Sequence, residues 1–592
     1  MAPAAGKRPI FRMPFTVGPG TPGHRPSLPA PRQAMTTSSL LRDIRTVPLL
    51  GFLAVLAACS GCGSAEGITD PVVSQVTVLP AVVGVEVGQT TQLQATARDA
   101  GGSAIPGRTA TWSSSTTTVA SVSGTGVVTG VSPGVATITA AVGDRTGQAT
   151  VTVTQGNTPA GTIGIIGSQQ FQTMTGWEAL AEIGHVECDP AAYQSYKNGL
   201  LDRAANELGI NRIRIGLRNG FENPTDYFVP FQAGQLTFNQ WKVHWFQVVN
   251  DNNDPLVMNP AGFNWGYLDY TMDELVVPLR QRLAARGENL WLNLSYTGAN
   301  SGQLHRNNPQ EYAEFVLAAF QHLQQRYGWV PNSLELVNEP NLGNWDVGHI
   351  AANLAAVRQR LSQAGFTPEF VGPSGSSINA SLVYFDALIP LAGVAQGLDE
   401  IAYHRYGTAP TVAQLQGMAQ RGAANGMRTA MLEHGGSGHE DLHADLTEAN
   451  VSAWQQFGLG FCGDIDNGGV YFLVTGAKLG QNSPEVRTGA MTKYLRQYFR
   501  YVALGAVRIG ATSANAQLAP VAFRNVNGKH VVVVKASAGT MFTVSGLSAG
   551  SYGIDYTTSN AYMQALPDVT IGAGQLLSTG IPAAGVLTIF AR

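Results

Sequence analysis

The sequence predicts a multidomain chain: a (β/α)8 TIM barrel with a C-terminal antiparallel β-sandwich and a smaller N-terminal β-sandwich. Three observations predict it. Between residues 163 and 504, eight short apolar runs alternate with amphipathic helical segments, the pattern of parallel strands joined by helical crossovers. On either side, short alternating strands are separated by turns rich in Gly, Ser and Asp. Two of the eight central runs stop abruptly at a glutamate, at the strand ends where barrels carry their chemistry.

A chain of 592 residues is too long for one ordinary domain. Lys+Arg total 36 and Asp+Glu 39, a net charge of −3, with no basic stripe, which argues against a nucleic-acid partner. Charged residues are only 13% and glycines number 69, a composition that suits a turn-rich extracellular protein. The four cysteines show no metal-ligand spacing. Cys188 and Cys462 are candidates to pair in an oxidising compartment, and sequence leaves the geometry open.

Residues 1–34 are rich in Pro, Gly, Ala and Arg without periodicity, and read as a disordered or untranslated extension. Met35 opens a better N-terminus. Arg42 and Arg45 supply positive charge, and the apolar run 47–58 is too short to span a bilayer, so 35–58 reads as a signal peptide. The end Leu56-Ala57-Ala58-Cys59 resembles the bacterial lipobox, which implies lipidation of Cys59 as the mature N-terminus. Ser60 stands where an aspartate would favour inner-membrane retention, so the resemblance implies an outer-membrane or cell-surface anchor. An anchored N-terminus makes the protein peripheral to the membrane, not spanning.

Residues 59–71 are a small-residue linker, and 72–154 are all β. Gly88-Gln89, Ala110-Thr111-Trp112-Ser113-Ser114, Val119-Ala120-Ser121-Val122 and Gly126-Val127-Val128-Thr129-Gly130 resemble the bacterial immunoglobulin-like group 2 domain. Trp112 is expected in its core. This module carries no chemistry and would hold the rest away from the membrane. Residues 155–162 form a second linker.

In the barrel segment, 163–504, the expected strands are 172–176, 212–216, 290–295, 334–337, 368–371, 400–404, 428–432 and 469–473. Amphipathic segments at 267–286, 309–327, 347–365 and 486–502 supply helices. A long insertion, 221–265, carries Tyr227, Phe228, Phe231, Trp241, Trp245, Phe246, Phe263 and Trp265. Some of these aromatics are expected to stack on sugar, and most to pack the loop. From 505 to 592 the pattern is β again, with Asn527-Gly528 marking a hairpin.

The chemistry is placed at Leu334-Glu335-Leu336-Val337-Asn338-Glu339-Pro340. An apolar strand ends in Asn-Glu-Pro, and proline cannot continue an inner strand, so Glu339 sits just past a strand end. Leu432-Glu433-His434-Gly435-Gly436 has the same form, and Tyr403-His404-Arg405-Tyr406 is a third strand end with polar and aromatic groups. Two carboxylates facing one substrate are the equipment of glycoside hydrolysis.

On these residues, 163–592 resembles glycoside hydrolase family 30 of the clan A retaining hydrolases. Asn338-Glu339-Pro340 is similar to the clan's acid/base motif after strand four, and Leu432-Glu433 to its nucleophile after strand seven. Arg212-Ile213-Arg214-Ile215-Gly216 is similar to the family's Arg-x-Pro-Ile-Gly, with Arg214 in place of proline. His404-Arg405-Tyr406 resembles its His-x-Tyr, and Gly505-Ala506-Val507-Arg508-Ile509 its sandwich. The sequence departs at Gly176-Trp177-Glu178-Ala179, Leu294-Ser295-Tyr296 and Tyr471-Phe472, positions that shape the sugar pocket, which leaves the glycan open.

The resemblance implies retaining hydrolysis of a β-linked polysaccharide by double displacement, with endo action on a xylan, β-1,6-glucan or β-1,6-galactan as the expected mode. Glu433 is the expected nucleophile and Glu339 the acid/base, with carboxyls about 5–5.5 Å apart. Asn338 is expected on the sugar 2-hydroxyl. Tyr406 and Arg212 are expected to orient Glu433, and His404, Trp177, Glu178, Tyr296 and Tyr471 to line the pocket. Asp464 and Asp466 read as a solvated loop. No metal or organic cofactor is required, and a monomer is expected. Two other classes share these features: a non-catalytic glycan-binding lipoprotein, and a clan A transglycosylase.

Overall fold

A computed structural model describes residues 71–592 apart from 87–88, 133, 155–161 and 299–302. The expected extension, signal peptide, lipidation site Cys59 and first linker up to residue 70 lie outside the described residues, as does most of the second linker.

The N-terminal β domain carries strands from Gln75–Leu79 to Arg145–Thr154. They form a four-stranded and a three-stranded sheet and the antiparallel pair Gln75–Leu79 with Gln94–Arg98. Alternation along the strands sends Val76, Val78, Leu93, Val128, Ile138 and Val151 into one apolar core. Trp112, expected inside, is half-buried against that core. Its strand, Thr111–Ser114, is the edge of its sheet, so one flank of the ring has no neighbouring strand to cover it.

The barrel closes from eight parallel strands: β1 Gly176–Ile183, β2 Arg212–Arg218, β3 Trp291–Thr297, β4 Ser333–Glu335, β5 Glu369–Gly375, β6 Glu400–His404, β7 Arg428–Glu433 and β8 Val451–Cys462. β1 pairs with β8, Gly176 opposite Ala453 and Trp177 opposite Trp454, which closes the ring. Two strands differ from expectation. Residues 172–173 end a strand of the C-terminal sandwich, and β1 begins at Gly176. Strand eight is Val451–Cys462, while Val470–Thr475 lies beside it outside the ring. β8 escapes a hydrophobic reading because Ser452, Gln455 and Gln456 are polar, yet all three are fully buried. Helices at Pro190–Asp202, Ile378–Leu388, Val412–Asn425 and His439–Glu448 complete the crossovers. The apolar segment expected as a helix from 486 is a strand, Glu485–Thr488, before a helix, Thr492–Phe499.

The barrel interior divides by side-chain size. Val371, Ala402, Ala430, Leu432 and Ala453, from β5 to β8, form a small apolar cluster. Against it stand large polar groups: Arg212, Arg214, Glu178, Glu335, Glu400 and Asn293, all at most 1% exposed. Small residues on one half make room for two arginines on the other.

The C-terminal sandwich takes one strand from ahead of the barrel. Ile163–Thr173 pairs antiparallel with Val507–Ser513 and parallel with Thr540–Ser545. The hairpin at Asn527-Gly528 joins Leu518–Arg524 to His530–Ala536, in register Arg524 to His530.

Cys188 and Cys462 form a disulfide with Cα atoms 5.6 Å apart, tying the loop after β1 to the end of β8. The bond closes a loop of 274 residues, so its loss releases a large unfolded-state constraint. Cys188→Ser/Cys462→Ser is expected to lower stability by about 2–4 kcal/mol. Denaturant midpoints of wild type and variant check this, and equal midpoints would refute it.

Candidate active site

Arg212 and Arg214 are two residues apart on β2, so both face the barrel interior, with Arg214 one layer nearer the C-terminal face. In the lower layer Arg212 Nε donates to Glu178 Oε2 at 2.5 Å and Nη2 to Glu400 Oε1 at 2.7 Å. In the upper layer Arg214 grips Glu335 with two bonds, 2.7 and 2.8 Å. Its Nη1 donates to Glu433 Oε2 at 2.6 Å and its Nη2 to Asn338 Oδ1 at 2.7 Å. Such forked, charge-assisted contacts fix geometry as well as charge.

Glu433 ends β7, and its second oxygen, Oε1, accepts from Tyr406 Oη at 3.0 Å. Glu339 follows β4 with φ 51°, a left-handed conformation unusual for a residue with a side chain. Its N–H donates to Ser374 O at 3.1 Å, and Ser374 is itself left-handed at φ 48°. Such strained backbone needs surrounding structure to hold it, and it clusters at functional sites. Glu339 Oε1 lies 3.0 Å from His404 Nδ1. One oxygen of Glu339, one of Glu433 and a nitrogen of His404 all lie within 4.8 Å of one another. The two glutamate side chains keep 19% and 12% exposure, while His404 and Arg214 are sealed behind them. Solvent, or a ligand, therefore reaches both carboxylates.

The electrostatics follow from this packing. Burial pulls the His404 pKa down, but Glu433 and Glu339 outweigh burial and raise it above its ordinary value. Burial and the Glu433 charge push the Tyr406 hydroxyl well up, so it stays a donor. Burial alone would raise Glu335, but Arg214 holds it below the usual carboxylate range. Glu178 is raised by burial, beyond what Arg212 and Arg214 take back.

The sequence-derived residues divide into two groups. Glu339, Glu433, Asn338, His404 and Tyr406 come together as one constellation. With its Oδ1 taken by Arg214, Asn338 keeps its amide nitrogen for a ligand. The expected role of Arg212 in orienting Glu433 passes to Arg214, because the strand repeat sets Arg212 one layer too deep. Glu178 belongs to that lower layer. Trp177 points the opposite way from Glu178, stacks on Phe499 at 4.5 Å and donates to Val502 O. Tyr296 is fully buried, bonded to His305 and packed edge-on against Tyr312 and Trp345. Tyr471 is buried outside the ring, where its hydroxyl donates to Glu178 O at 2.8 Å. Asp464 pairs with exposed Lys478.

Arg214 and Glu335 are the residues missed. Their signal was the i, i+2 repeat of arginine on β2 and the glutamate that ends β4, which set charges on the inner face of strands otherwise apolar. The aromatic insertion mostly packs on itself: Phe231 stacks on Trp241 at 4.7 Å, Tyr227 on His244 at 3.6 Å and Phe263 on Trp265 at 5.8 Å. Arg218 sits 3.7 Å from the Trp245 ring centre and 4.0 Å from that of Tyr267.

Glu339, His404 and Glu433 have the spacing of metal ligands. Arg214 already supplies a cation to Glu433, however, and His404 is biased toward its charged form, so a metal ion would meet like charge. What the arrangement provides is two reachable carboxylates, one clamped by Arg214 and Tyr406 and the other beside an imidazole.

Tyr406→Phe removes one of the two clamps on Glu433. A loss of about ten- to a hundredfold in turnover, with substrate affinity little changed, is expected from one charge-assisted hydrogen bond of about 1.5–3 kcal/mol. Steady-state kinetics on whichever substrate the chain is found to turn over check it, and unchanged turnover would refute it.

Comparison with known proteins gives the following. The bacterial Ig-like domain (group 2) family matches residues 72–158. No curated protein matches the chain. Among solved structures, the chain is similar to the catalytic domain of GH30 xylanase C from Talaromyces cellulolyticus: 14% identity, TM-score 0.53, covering 73% of this chain and 99% of that one. A conserved exported protein from Bacteroides fragilis is similar at 14% identity and TM-score 0.54, covering 72% and 100%. A GH30 endoxylanase from Clostridium papyrosolvens C71 is similar at 14% identity and TM-score 0.50, covering 73% and 99%. The barrel and its appended sandwich thus have a glycoside hydrolase family 30-like fold.

Proposed function

We propose that this chain is a retaining β-glycoside hydrolase acting on an extracellular polysaccharide. The observation that carries the reading is the pair Glu339 and Glu433, solvent-reachable past the ends of β4 and β7 with an oxygen of each within 4.8 Å of the other. That separation suits direct attack on the sugar and leaves little room for a water between carboxylate and anomeric carbon, which inversion needs at about 6.5–9.5 Å.

In the first step Glu433 Oε attacks the anomeric carbon, while Glu339 gives its proton to the departing glycosidic oxygen. The leaving sugar departs as an alcohol, and the glycosyl ester remains on Glu433. In the second step Glu339, now a carboxylate, takes a proton from water as the water oxygen attacks the same carbon and frees Glu433. Two inversions give net retention. Arg214 and Tyr406 hold Glu433 in line, Asn338 donates its amide to the 2-hydroxyl, and His404 sets the position of Glu339.

Two of the similar structures carry xylanase in their descriptions, which puts xylan first among substrates. β-1,6-Glucan and β-1,6-galactan follow from the sequence resemblance. The Ig-like module and the Cys188–Cys462 disulfide support an extracytoplasmic location. A lipid anchor at Cys59 would place the enzyme at the cell surface.

The test is hydrolysis of a panel of these polysaccharides, with the anomeric form of the fresh product read by proton NMR. A β-configured first product from a β-linked glycan is expected. An α-configured product would overturn retention, and a folded protein that binds but leaves every glycan intact would overturn hydrolysis.

A further inference from the structure

A second group of carboxylates lies where the insertion after β2 meets the helix Pro309–Tyr327. Glu222, Asp251 and Glu311 each turn one oxygen toward a common point, and the three oxygens lie within 4.8 Å of one another. Glu222 is 2% and Glu311 8% exposed. Their existing partners are few. Glu222 Oε2 bonds His305 Nε2, and Glu222 Oε1 accepts from the Asp251 N–H at 3.3 Å. Asp251 Oδ2 accepts from Asn259 N and Asn252 Nδ2, whereas its Oδ1 is buried without a partner. Glu311 Oε1 has only a long contact, 3.5 Å, from Asn250 Nδ2.

Glu314 supplies a second, independent sign. It lies one turn from Glu311 on the same helix face and is 1% exposed, and neither of its oxygens accepts a hydrogen bond. Arg360 Nη2 stands 3.6 Å from its Oε1, and the same guanidinium also donates to Pro255 O. Burial pushes Glu314 up to about 8, with the Asp251 charge adding to the shift and Arg360 opposing it. Asn250 Oδ1, also buried, is without a partner. Among the described residues, these four carboxyl groups have the Arg360 guanidinium and the His305 imidazole as their basic neighbours. Carboxylates buried this close together call for a counter-charge.

We propose that Glu222, Asp251 and Glu311 bind a calcium ion, with the buried Glu314 one helical turn beyond Glu311, and that the ion clamps the 221–265 insertion to the helix Pro309–Tyr327. The donors are all oxygens, which selects a hard cation. The three oxygens lie within 4.8 Å of one another, close enough to share one ion at calcium–oxygen distances of about 2.4 Å, and a set of protein carboxylates suits calcium, since magnesium dehydrates reluctantly and keeps several waters. His305 fits as the outer group that orients one ligand: its Nε2 meets Glu222, and its Nδ1 meets Tyr296 Oη. The clamped loop carries Trp245 and Asn264, which pack beside Arg218 at the C-terminal end of β2, so the ion would brace a wall of the catalytic face.

The test is calorimetric titration of the chelator-stripped full chain with Ca2+ and, separately, Mg2+, alongside Tm with Ca2+ and with EGTA. One equivalent of Ca2+ is expected, bound at least about tenfold tighter than Mg2+, with Tm raised by Ca2+ and lowered again by EGTA. Asp251→Asn and Glu311→Gln, each checked for folding by circular dichroism, should lose that equivalent, while Glu440→Gln on an exposed surface should keep it. No saturable heat up to about 5 mM Ca2+ would overturn the site, since even weak extracellular calcium modules saturate by then. So would an equivalent that survives in both ligand variants, or Mg2+ binding as tightly. If a variant fails to fold, the wild-type titration still decides.

Discussion

Glu433→Gln is expected to abolish turnover, by on the order of 10⁴-fold or more, while leaving the fold intact. In the proposed mechanism the Glu433 carboxylate forms the glycosyl ester, and an amide of the same shape cannot replace it. The fold should survive because the amide keeps the shape of the carboxylate, its oxygen still accepts from Arg214, and its NH2 can donate to the Tyr406 hydroxyl once that hydroxyl turns. Glu339→Gln should behave differently. Its loss, about 10²–10⁴-fold, falls on substrates whose leaving group needs a proton, so an aryl glycoside with an acidic leaving group should be cleaved to the ester stage almost normally. Added azide should then restore product release as the glycosyl azide. Rates of both variants on polysaccharide and aryl glycoside check this pair of outcomes. Variants as fast as wild type would mean that other carboxylates do the work. A spectroscopic readout accompanies the kinetics. Because the Glu433 charge helps hold the His404 pKa up, Glu433→Gln should move the His404 imidazole titration down, and an unmoved titration would refute the proposed coupling.

Arg214→Met is expected to cost both activity and about 3–5 kcal/mol of stability. Arg214 is the sole guanidinium bonded to Glu335 and Glu433 among the described residues, and removing it leaves Glu335 buried with its charge uncompensated. Arg214→Lys should recover part of the stability and little of the activity, since an ammonium cannot reproduce the fork that meets Glu335, Glu433 and Asn338 at once. The pH dependence has a definite sign. Arg214 depresses Glu335 below its unfolded value near 4.5, so this interaction contributes stability above that pH and loses it as pH falls through the folded value. In Arg214→Met, burial acts on Glu335 alone and raises it, so the contribution reverses: the variant should lose most at pH 7 and least at pH 4. Denaturant midpoints across that range check it, and a deficit independent of pH would refute the assignment.

The sequence by itself determined the architecture and the two carboxylates. Periodicity is a local property, and alternation of period two, helical stretches of period 3.6 and a glutamate before proline or glycine each show within a short window. β2, β6 and β7 and the helices at 309–327 and 347–363 were legible for that reason. Strand eight was not. β8 reads as polar in one dimension because Ser452, Gln455 and Gln456 interrupt its apolar run, and only ring closure buries them, with Gln456 Nε2 donating to Ser437 O beyond the end of β7. Trp177, Tyr296 and Tyr471 look like sugar platforms in one dimension, but strand parity and ring closure turn each of them into packing. Arg212 and Arg214 are equivalent by residue type and face. Only the stagger of the neighbouring strands decides which layer holds Glu400 and which holds Glu433. The disulfide and the Glu222, Asp251 and Glu311 cluster likewise join residues distant in sequence, 274 apart in the first case. Local pattern fixes what each segment is. The distances between charges that set their chemistry exist only once the ring has closed.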